Sequence, residues 1–499
     1  MADRRALVTG ATGYIGARLA PALLREGWTV RVLTRDAGKL ADRTWHDQVE
    51  VVEGSADEPD DLTRAMEGVQ VAYYLIHSMD GSAGFVERDR EMAHRFAESA
   101  GRAGLSRIVY LSGLYPPDTD LSAHLGSRKQ VEDIFLAGAV PTVVLRAAVI
   151  VGSGSASFEM LRHLPERLPV MVAPQWLNTR IQPIAIGHVL HYLVAAAELP
   201  AEVDRGFDIG GEEVFTYRDM INRYAAVTGL LRRRVRTVPV MTPWLASHWV
   251  GVVTPVPAGI AKPLVGSLIH EVVCKEHDIA RYVPDPEGGF VGFDDAVRAA
   301  LEGSQALAER GEVDADRPAR ISASDPQWAG RTVLGHRDRS VVPATPEQVW
   351  EQVERLGGEH GWHIPDLLWQ VRGALDTVVG GVGHRRQRDP GPLREGATVD
   401  SWEVLRVEAG SMLELRSRMR VPGEATLRID VEPGDQPGTT VLTQTPRFVP
   451  SGLAGVAYWA ALWPAHRLSF AGMHRGLARA AAQSGGAGNA GDTGPANPD

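Results

Sequence analysis

The chain has one cysteine, Cys274, in 499 residues. No intrachain disulfide can form, so a reducing, cytoplasmic setting is expected. It also lacks an uninterrupted apolar run of the ~20 residues that a spanning helix needs. The two nearest stretches are broken or short: residues 240–269 contain Pro243, Pro255, Pro257 and Pro263, and residues 453–463 are followed by Pro464, His466 and Arg467. For both, three readings stay open: core, pocket lining, or shallow peripheral membrane contact. No charged-then-apolar leader opens the sequence, so secretion is not expected. Cationic excess is missing too. The 62 acidic against 52 basic residues give a net charge of −10, which argues against a general affinity for nucleic acid. There is no internal repeat, no metal-ligand spacing and no nucleophile elbow. The expected partner is a small molecule, and the sequence does not set an oligomeric state.

What is present is concentrated at residues 7–16, Leu-Val-Thr-Gly-Ala-Thr-Gly-Tyr-Ile-Gly. This reads as a buried strand, a glycine turn and a helix start. Gly10 can take the tight turn, Gly13 lets a backbone approach a pyrophosphate, and Gly16 lets the helix pack close to the strand. Thr12, Tyr14 and Ile15 complete the cradle, with helix-start N–H groups facing the phosphates. The alternative is a glycine-rich turn with no ligand.

From residue 1 to about 150, β-branched runs at 5–9, 29–33, 49–53, 71–76, 107–111 and 142–145 alternate with amphipathic helices. That pattern predicts a doubly wound parallel α/β sheet of the Rossmann type, with its ligand beyond the carboxyl ends of the strands. After the second strand, Arg35 would pair with a 2′-phosphate and favour NADP(H). If Asp36 takes the ribose hydroxyls instead, NAD(H) is served. Asp57 follows the third strand, placed to meet an adenine amino group or to cap a helix. Ile76 and His77 follow the fourth, as a wall beneath the ribose and nicotinamide or as a loop.

These features resemble the short-chain dehydrogenase/reductase superfamily in its extended, atypical, NmrA-like branch. The likeness rests on the TGATGYIG turn, the Asp57 position and the strand ending Val109-Tyr110-Leu111-Ser112-Gly113, and it covers roughly residues 1–300. It implies a catalytic hydroxyl after the fifth strand and a Tyr four positions before a Lys on the next helix. Here the sequence departs. Ser112 lies near the hydroxyl position and Tyr115 follows it, while one register puts His124 at the Tyr position and Arg128 at the Lys position and the next puts Leu125 and Lys129 there, so neither restores the Tyr–Lys pair. His124 and Arg128 are four apart, on one helix face, and His124 is expected to donate a proton near neutral pH. Arg128 can hold a ribose or phosphate but cannot shuttle a proton. Cofactor contact alone, or a solvated face, is the plainer reading.

Residues from 146 to 300 resemble that branch's small substrate lobe, in which Trp244, Trp249, Val253 and Leu264 would line a groove for a bulky apolar ligand. Residues 301–330, charged and carrying Pro318 and Pro326, read as a linker. From 331 to 483 the pattern becomes strand, helix, antiparallel strands and closing helix, an α+β order that resembles the START-like, helix-grip fold. Leu368-Trp369, Gly380-Gly381, Arg385-Arg386 and Asp389-Pro390 resemble a domain of unknown function fused to atypical reductases. Arg388 and Asp389 read as a solvated hairpin in preference to a cavity mouth. Residues 484–499, rich in Gly, Ala and Asn, are expected to be disordered. Three functions remain in play: an NAD(P)H-dependent oxidoreductase on an apolar carbonyl or quinone-like compound; a non-catalytic nucleotide-binding sensor, regulatory or assembly protein with a hydrophobic-ligand-binding C-terminal domain; and a C-terminal domain that carries a lipid-like ligand to the N-terminal one.

Overall fold

A computed structural model describes residues 4–41, 43–77, 84–117, 120–238, 249–251, 253–286, 288–302, 320–321, 325–326, 328–363 and 388–488. The chain divides into two compact units, Met1–Arg331 and Thr332–Asp499.

The first unit is built on β1 (Arg5–Thr9), β2 (Thr29–Thr34), β3 (Glu50–Glu53), β4 (Val71–Tyr74), β5 (Arg107–Gly113) and β6 (Thr142–Ala147). Among them run α1 (Tyr14–Arg25), α2 (Pro59–Met66), α3 (Phe85–Ala103) and α4 (Ala123–Leu136). With the strand Arg205–Ile209 at the far edge, they form a parallel sheet in the order Arg205–Ile209, β6, β5, β4, β1, β2, β3. The period of two along each strand splits neighbours between two cores. Val8, Tyr73, Val109 and Val143 pack on the side of α1 and the helix Ile186–Ala196. Leu7, Tyr74, Tyr110 and Val144 pack on the side of α2, α3 and α4. There, Tyr74, Phe96, Tyr110 and Phe135 meet edge to face. Strand order reverses between β1 and β4, which opens the crevice where ligands of such sheets lie.

The ends of β4, β5 and β6 differ from the sequence expectation. β4 stops at Tyr74, because the next backbone N–H, of Leu75, turns to the Thr9 hydroxyl at 3.3 Å. β5 and β6 run two residues further, pairing Ser112 with Arg146 and Gly113 with Ala147. Ser112 therefore lies within β5 and does not follow it.

The lobe gathers the helices Ala156–Arg167, Tyr217–Val227 and Phe293–Leu301 around Leu161, Ile221, Tyr224 and Val297, and the helix Ala258–Ser267 packs through Ala261 and Val265 in a second cluster with Met160. Of the expected groove residues, Trp249 borders an apolar recess, Val253 is core and Leu264 is part-buried; Trp244 lies outside the described residues. The described end of the proposed linker is no tether. Asp325 is buried and takes both terminal nitrogens of Arg18 at 2.8 and 2.7 Å, with Ile321 and Ala329 buried beside it in sequence.

The second unit is α+β. Its antiparallel sheet runs Leu334–Gly335, Thr440–Pro450, Gly423–Pro433, Met412–Ser417, Trp402–Glu408, Thr398–Val399, and Asp338–Val342 also pairs with Thr440–Pro450. The helix Pro346–Glu354 starts at a capping box made by Thr345 and Gln348. It shares a core with Phe470, Met473 and Leu477 of the last helix, Gly452–Gly488. That helix runs past the boundary expected at residue 484, where Ser484 bonds both Ala480 O and Gln352. Arg388 bridges to Val399, and Asp389 accepts from Thr398 N, so this pair belongs to the sheet margin. Residues 364–387, with Leu368-Trp369, Gly380-Gly381 and Arg385-Arg386, lie outside the described residues.

Candidate functional site

The turn between β1 and α1 has the shape that its glycines predict. Gly10 has φ +73°, and a Cβ there would stand 2.7 Å from Leu75 O, so the cradle and the end of β4 touch through backbone. Gly13 N bonds Gly10 O at 2.9 Å and closes the turn. A Cβ on Gly16 would meet Gly10 O at 2.4 Å, which is why α1 can start directly against the turn. Gly13 is the N-cap and offers no side chain to the first N–H groups, and no acidic residue stands in the first turn. Those donors and the positive end of the helix are thus available to an anion. Thr12 and Gly13 are exposed. Tyr14 and Ile15 supply backbone, but their side chains pack inward. The Tyr14 ring lies 4.1 Å beneath the Arg18 guanidinium, and burial pushes its phenol pKa up.

At the end of β2, Arg35 is exposed and has no ion pair among the described residues. Asp36 is committed differently: its carboxylate caps the short turn Ala37–Leu40 by accepting from Gly38 N at 3.0 Å. Asp57 is exposed beyond β3, with its carboxylate accepting from Ser55 Oγ at 3.2 Å. The N-cap of α2 is Glu58, so the capping role considered for Asp57 does not hold.

Beyond β4 and β5 a second group assembles. Ile76 packs on the α2–α4 core, and His77 is half-buried. Burial holds the His77 pKa well below the usual imidazole range, and the nearby Arg128 and His124 lower it further. His124 is pushed down to about 3 by burial, then by Arg128. This corrects one expectation. His124 is neutral at physiological pH and cannot act as an imidazolium acid; it keeps one N–H donor and one acceptor nitrogen. Arg128 bonds the buried Tyr110 phenol at 3.4 Å and has no carboxylate partner among the described residues. The Ser112 hydroxyl is buried beside the same phenol.

Tyr115 does not join this group. It donates to Glu132 at 3.0 Å, within a network that also holds Arg146 and Asp208. Two residues missed by sequence reasoning border the site. His270, at the end of the long apolar stretch, accepts from Ser122 N at 3.2 Å, and Ser267 meets the Ser122 hydroxyl at 3.2 Å. Ser122 is the N-cap of α4, so the lobe is pinned two residues before His124. The only local signal was a polar residue ending an apolar run. Cys274 is not a reactive thiol, since burial pushes its pKa up to about 12. Among the described residues no cluster of His, Cys, Asp or Glu could hold a metal.

A glycine cradle at a helix start, an exposed cation after β2 and a strand-order reversal fit a dinucleotide. Residues 10–136 match a family described as NAD(P)H-binding. They form an NAD(P)H-binding domain of the Rossmann type. Residues 328–473 match a family described as a protein of unknown function, DUF2867. Ceramide reductase of Caulobacter vibrioides is 29% identical over 233 residues, which are 46% of this chain and 72% of that one. A 3β-hydroxysteroid dehydrogenase/Δ5→4-isomerase of Mycobacterium tuberculosis is 30% identical over 118 residues, 22% of this chain and 31% of the relative. Among solved structures, the Citrobacter triphenylmethane reductase complexed with NADP(H) is 19% identical with a TM-score of 0.46, covering 60% of this chain and 100% of that one.

Proposed function

We propose that this chain is an NADPH-dependent reductase of an apolar carbonyl or quinone-like compound. The observation that carries the reading is the group His77, His124 and Arg128 beyond β4 and β5, in which a cation with no carboxylate partner among the described residues stands near two histidines whose pKa burial lowers. The cradle N–H groups would hold the pyrophosphate, and Arg35 would take the 2′-phosphate. Arg128 would hold a ribose or phosphate oxygen, as a cation without a carboxylate partner is suited to do. Bound NADPH supplies the hydride. The neutral N–H of His124 and the Ser112 hydroxyl can each hydrogen-bond a carbonyl oxygen, and the proton that completes the alcohol comes from solvent. The recess bordered by Met160, Leu164, Met171, Trp176 and Trp249 is lined by apolar side chains, but at about 30 Å³ it has room for no more than a water, so an apolar substrate would need the lobe to open there. The relative named ceramide reductase supports the same substrate class.

A second reading is favoured by one observation: a His–Arg pair with no ionisable acid stands where a Tyr–Lys pair would act. In it the nucleotide is sensed, and the second unit, read as a START-like helix-grip domain, binds the hydrophobic ligand. NADPH fluorescence and consumption across carbonyls and quinones separate the two. Saturable binding with no turnover removes the reductase reading for the compounds tried; absence of binding removes both.

A further inference from the structure

The lobe carries a two-stranded parallel ribbon whose faces have opposite character. Its strands are Val170–Pro174 and Arg234–Val238, paired Val170 with Arg234, Met171 with Val235, Val172 with Arg236 and Ala173 with Thr237. Met171 and Ala173 are buried and line the apolar recess. The alternate residues point the other way. Val170 is 55% and Val172 48% exposed, each opposite an exposed arginine, Arg234 and Arg236. The outer face is therefore a checkerboard of two valines and two cations. Leu231, 84% exposed, and exposed Arg232 lead into it.

An open groove along this ribbon is bordered by Arg218, Arg232, Arg233 and Arg234, and no carboxylate lines it. Among the described residues none of these four, nor Arg236, has an ion pair. Nearby acids are engaged elsewhere: Asp219 with Thr216, and Glu213 and Asp294 with Arg223. Arg233 is 9% exposed, and its Nε has no hydrogen-bond partner among the described residues. This is a local surplus of positive charge on a chain whose net charge is −10.

Unneutralised cations alone would suit any anion, and exposed aliphatic side chains alone would suit any apolar partner. Interleaved on one flat face, they match the interface of an anionic bilayer, where arginines meet headgroup phosphates and short aliphatic side chains enter the acyl boundary. No described helix is long and apolar enough to cross a membrane, so such contact is peripheral. We propose that the outer face of this ribbon, Val170, Val172, Leu231, Arg232, Arg234 and Arg236, docks the protein on an anionic lipid bilayer. The same strand then presents the bilayer with one face and the apolar recess with the other. The docking surface stands whether or not the chain is a reductase.

The test is sedimentation of the full chain with vesicles of phosphatidylcholine, alone or with about 30% phosphatidylglycerol. Binding is expected on the anionic vesicles alone, and it should weaken steeply between about 50 and 500 mM salt. The triple variant Arg232→Ser, Arg234→Ser, Arg236→Ser should bind about 100-fold more weakly, at about fivefold per cation. Leu231→Ser should lose roughly tenfold, from one apolar side chain no longer buried. NADPH affinity, measured on each variant, should not change and reports intact folding. Equal binding to neutral vesicles, or undiminished binding by the triple variant, overturns the proposal. Loss of vesicle binding on adding millimolar inorganic phosphate at constant ionic strength overturns it as well, because the groove would then be a soluble-anion site.

Discussion

Arg18 and Arg128 lie on two helices of the same sheet, α1 and α4, and the fold treats them in opposite ways. Arg18 is 2% exposed and fully occupied: both terminal nitrogens go to Asp325, with further bonds to Ser153 O and Arg320 O. Arg128 is half-buried, touches one phenol and has near it two histidines whose pKa burial lowers. A buried guanidinium with its carboxylate is part of the architecture, while one without such a partner at a crevice is available to a ligand. The difference between them can be broken experimentally.

The largest effect is expected at Asp325. Asp325→Ala leaves Arg18 buried without its counter-charge and should cost about 3–5 kcal/mol in urea unfolding. The double replacement Arg18→Met, Asp325→Leu should recover most of that loss, because two apolar side chains need no pairing. If Asp325→Ala costs less than about 1 kcal/mol, the pair is a surface-like contact and the contrast with Arg128 fails.

Arg128→Met should do the reverse. Stability should hold, since no carboxylate is left behind, while NADPH binding weakens about 10- to 150-fold, the worth of one charge-assisted contact of about 1.5–3 kcal/mol. Unchanged NADPH affinity by fluorescence titration would show that Arg128 is not a nucleotide ligand.

The same contrast explains what could be read from sequence. Gly10, Gly13 and Gly16, and the strands β1 to β6 around them, were legible because turn geometry and the period of two are local properties. Arg18 and Asp325 are 307 positions apart, and nothing near either residue announces the other. Compositionally, Asp325 looked like linker. Tyr115 failed for a related reason: its position after β5 was legible, but its partner Glu132 sits on α4, and only the packed structure shows the phenol already engaged. His124 was found by spacing, whereas its neutrality depends on burial, which spacing does not report. Arg35 could be read because the end of β2 is fixed by the strand itself.

Arg35 gives a smaller effect than Arg128 because it is exposed and solvent weakens its contacts. Arg35→Asp should shift the ratio of NADP(H) to NAD(H) dissociation constants by roughly tenfold towards NAD(H), near the lower end for a charged contact. It should not alter the unfolding midpoint. An unchanged ratio would remove Arg35 as a 2′-phosphate ligand.

The last expected effect is that of a proton. His124 has a folded pKa of about 3, below the unfolded value near 6.5. Above pH 6.5 both states are neutral and the group contributes no pH dependence. As pH falls below 6.5 the unfolded chain protonates first, so stability declines until the folded state also protonates, near pH 3. At pH 5, unfolding should therefore take up about one proton at this position, and His124→Gln should remove it from the slope of stability against pH. Arg128→Met should raise the His124 pKa followed by NMR, yet leave it below the ordinary imidazole value, because burial is the larger cause and the cation the smaller. A return to 6.5 would reverse that ranking and make Arg128 the group that keeps His124 neutral.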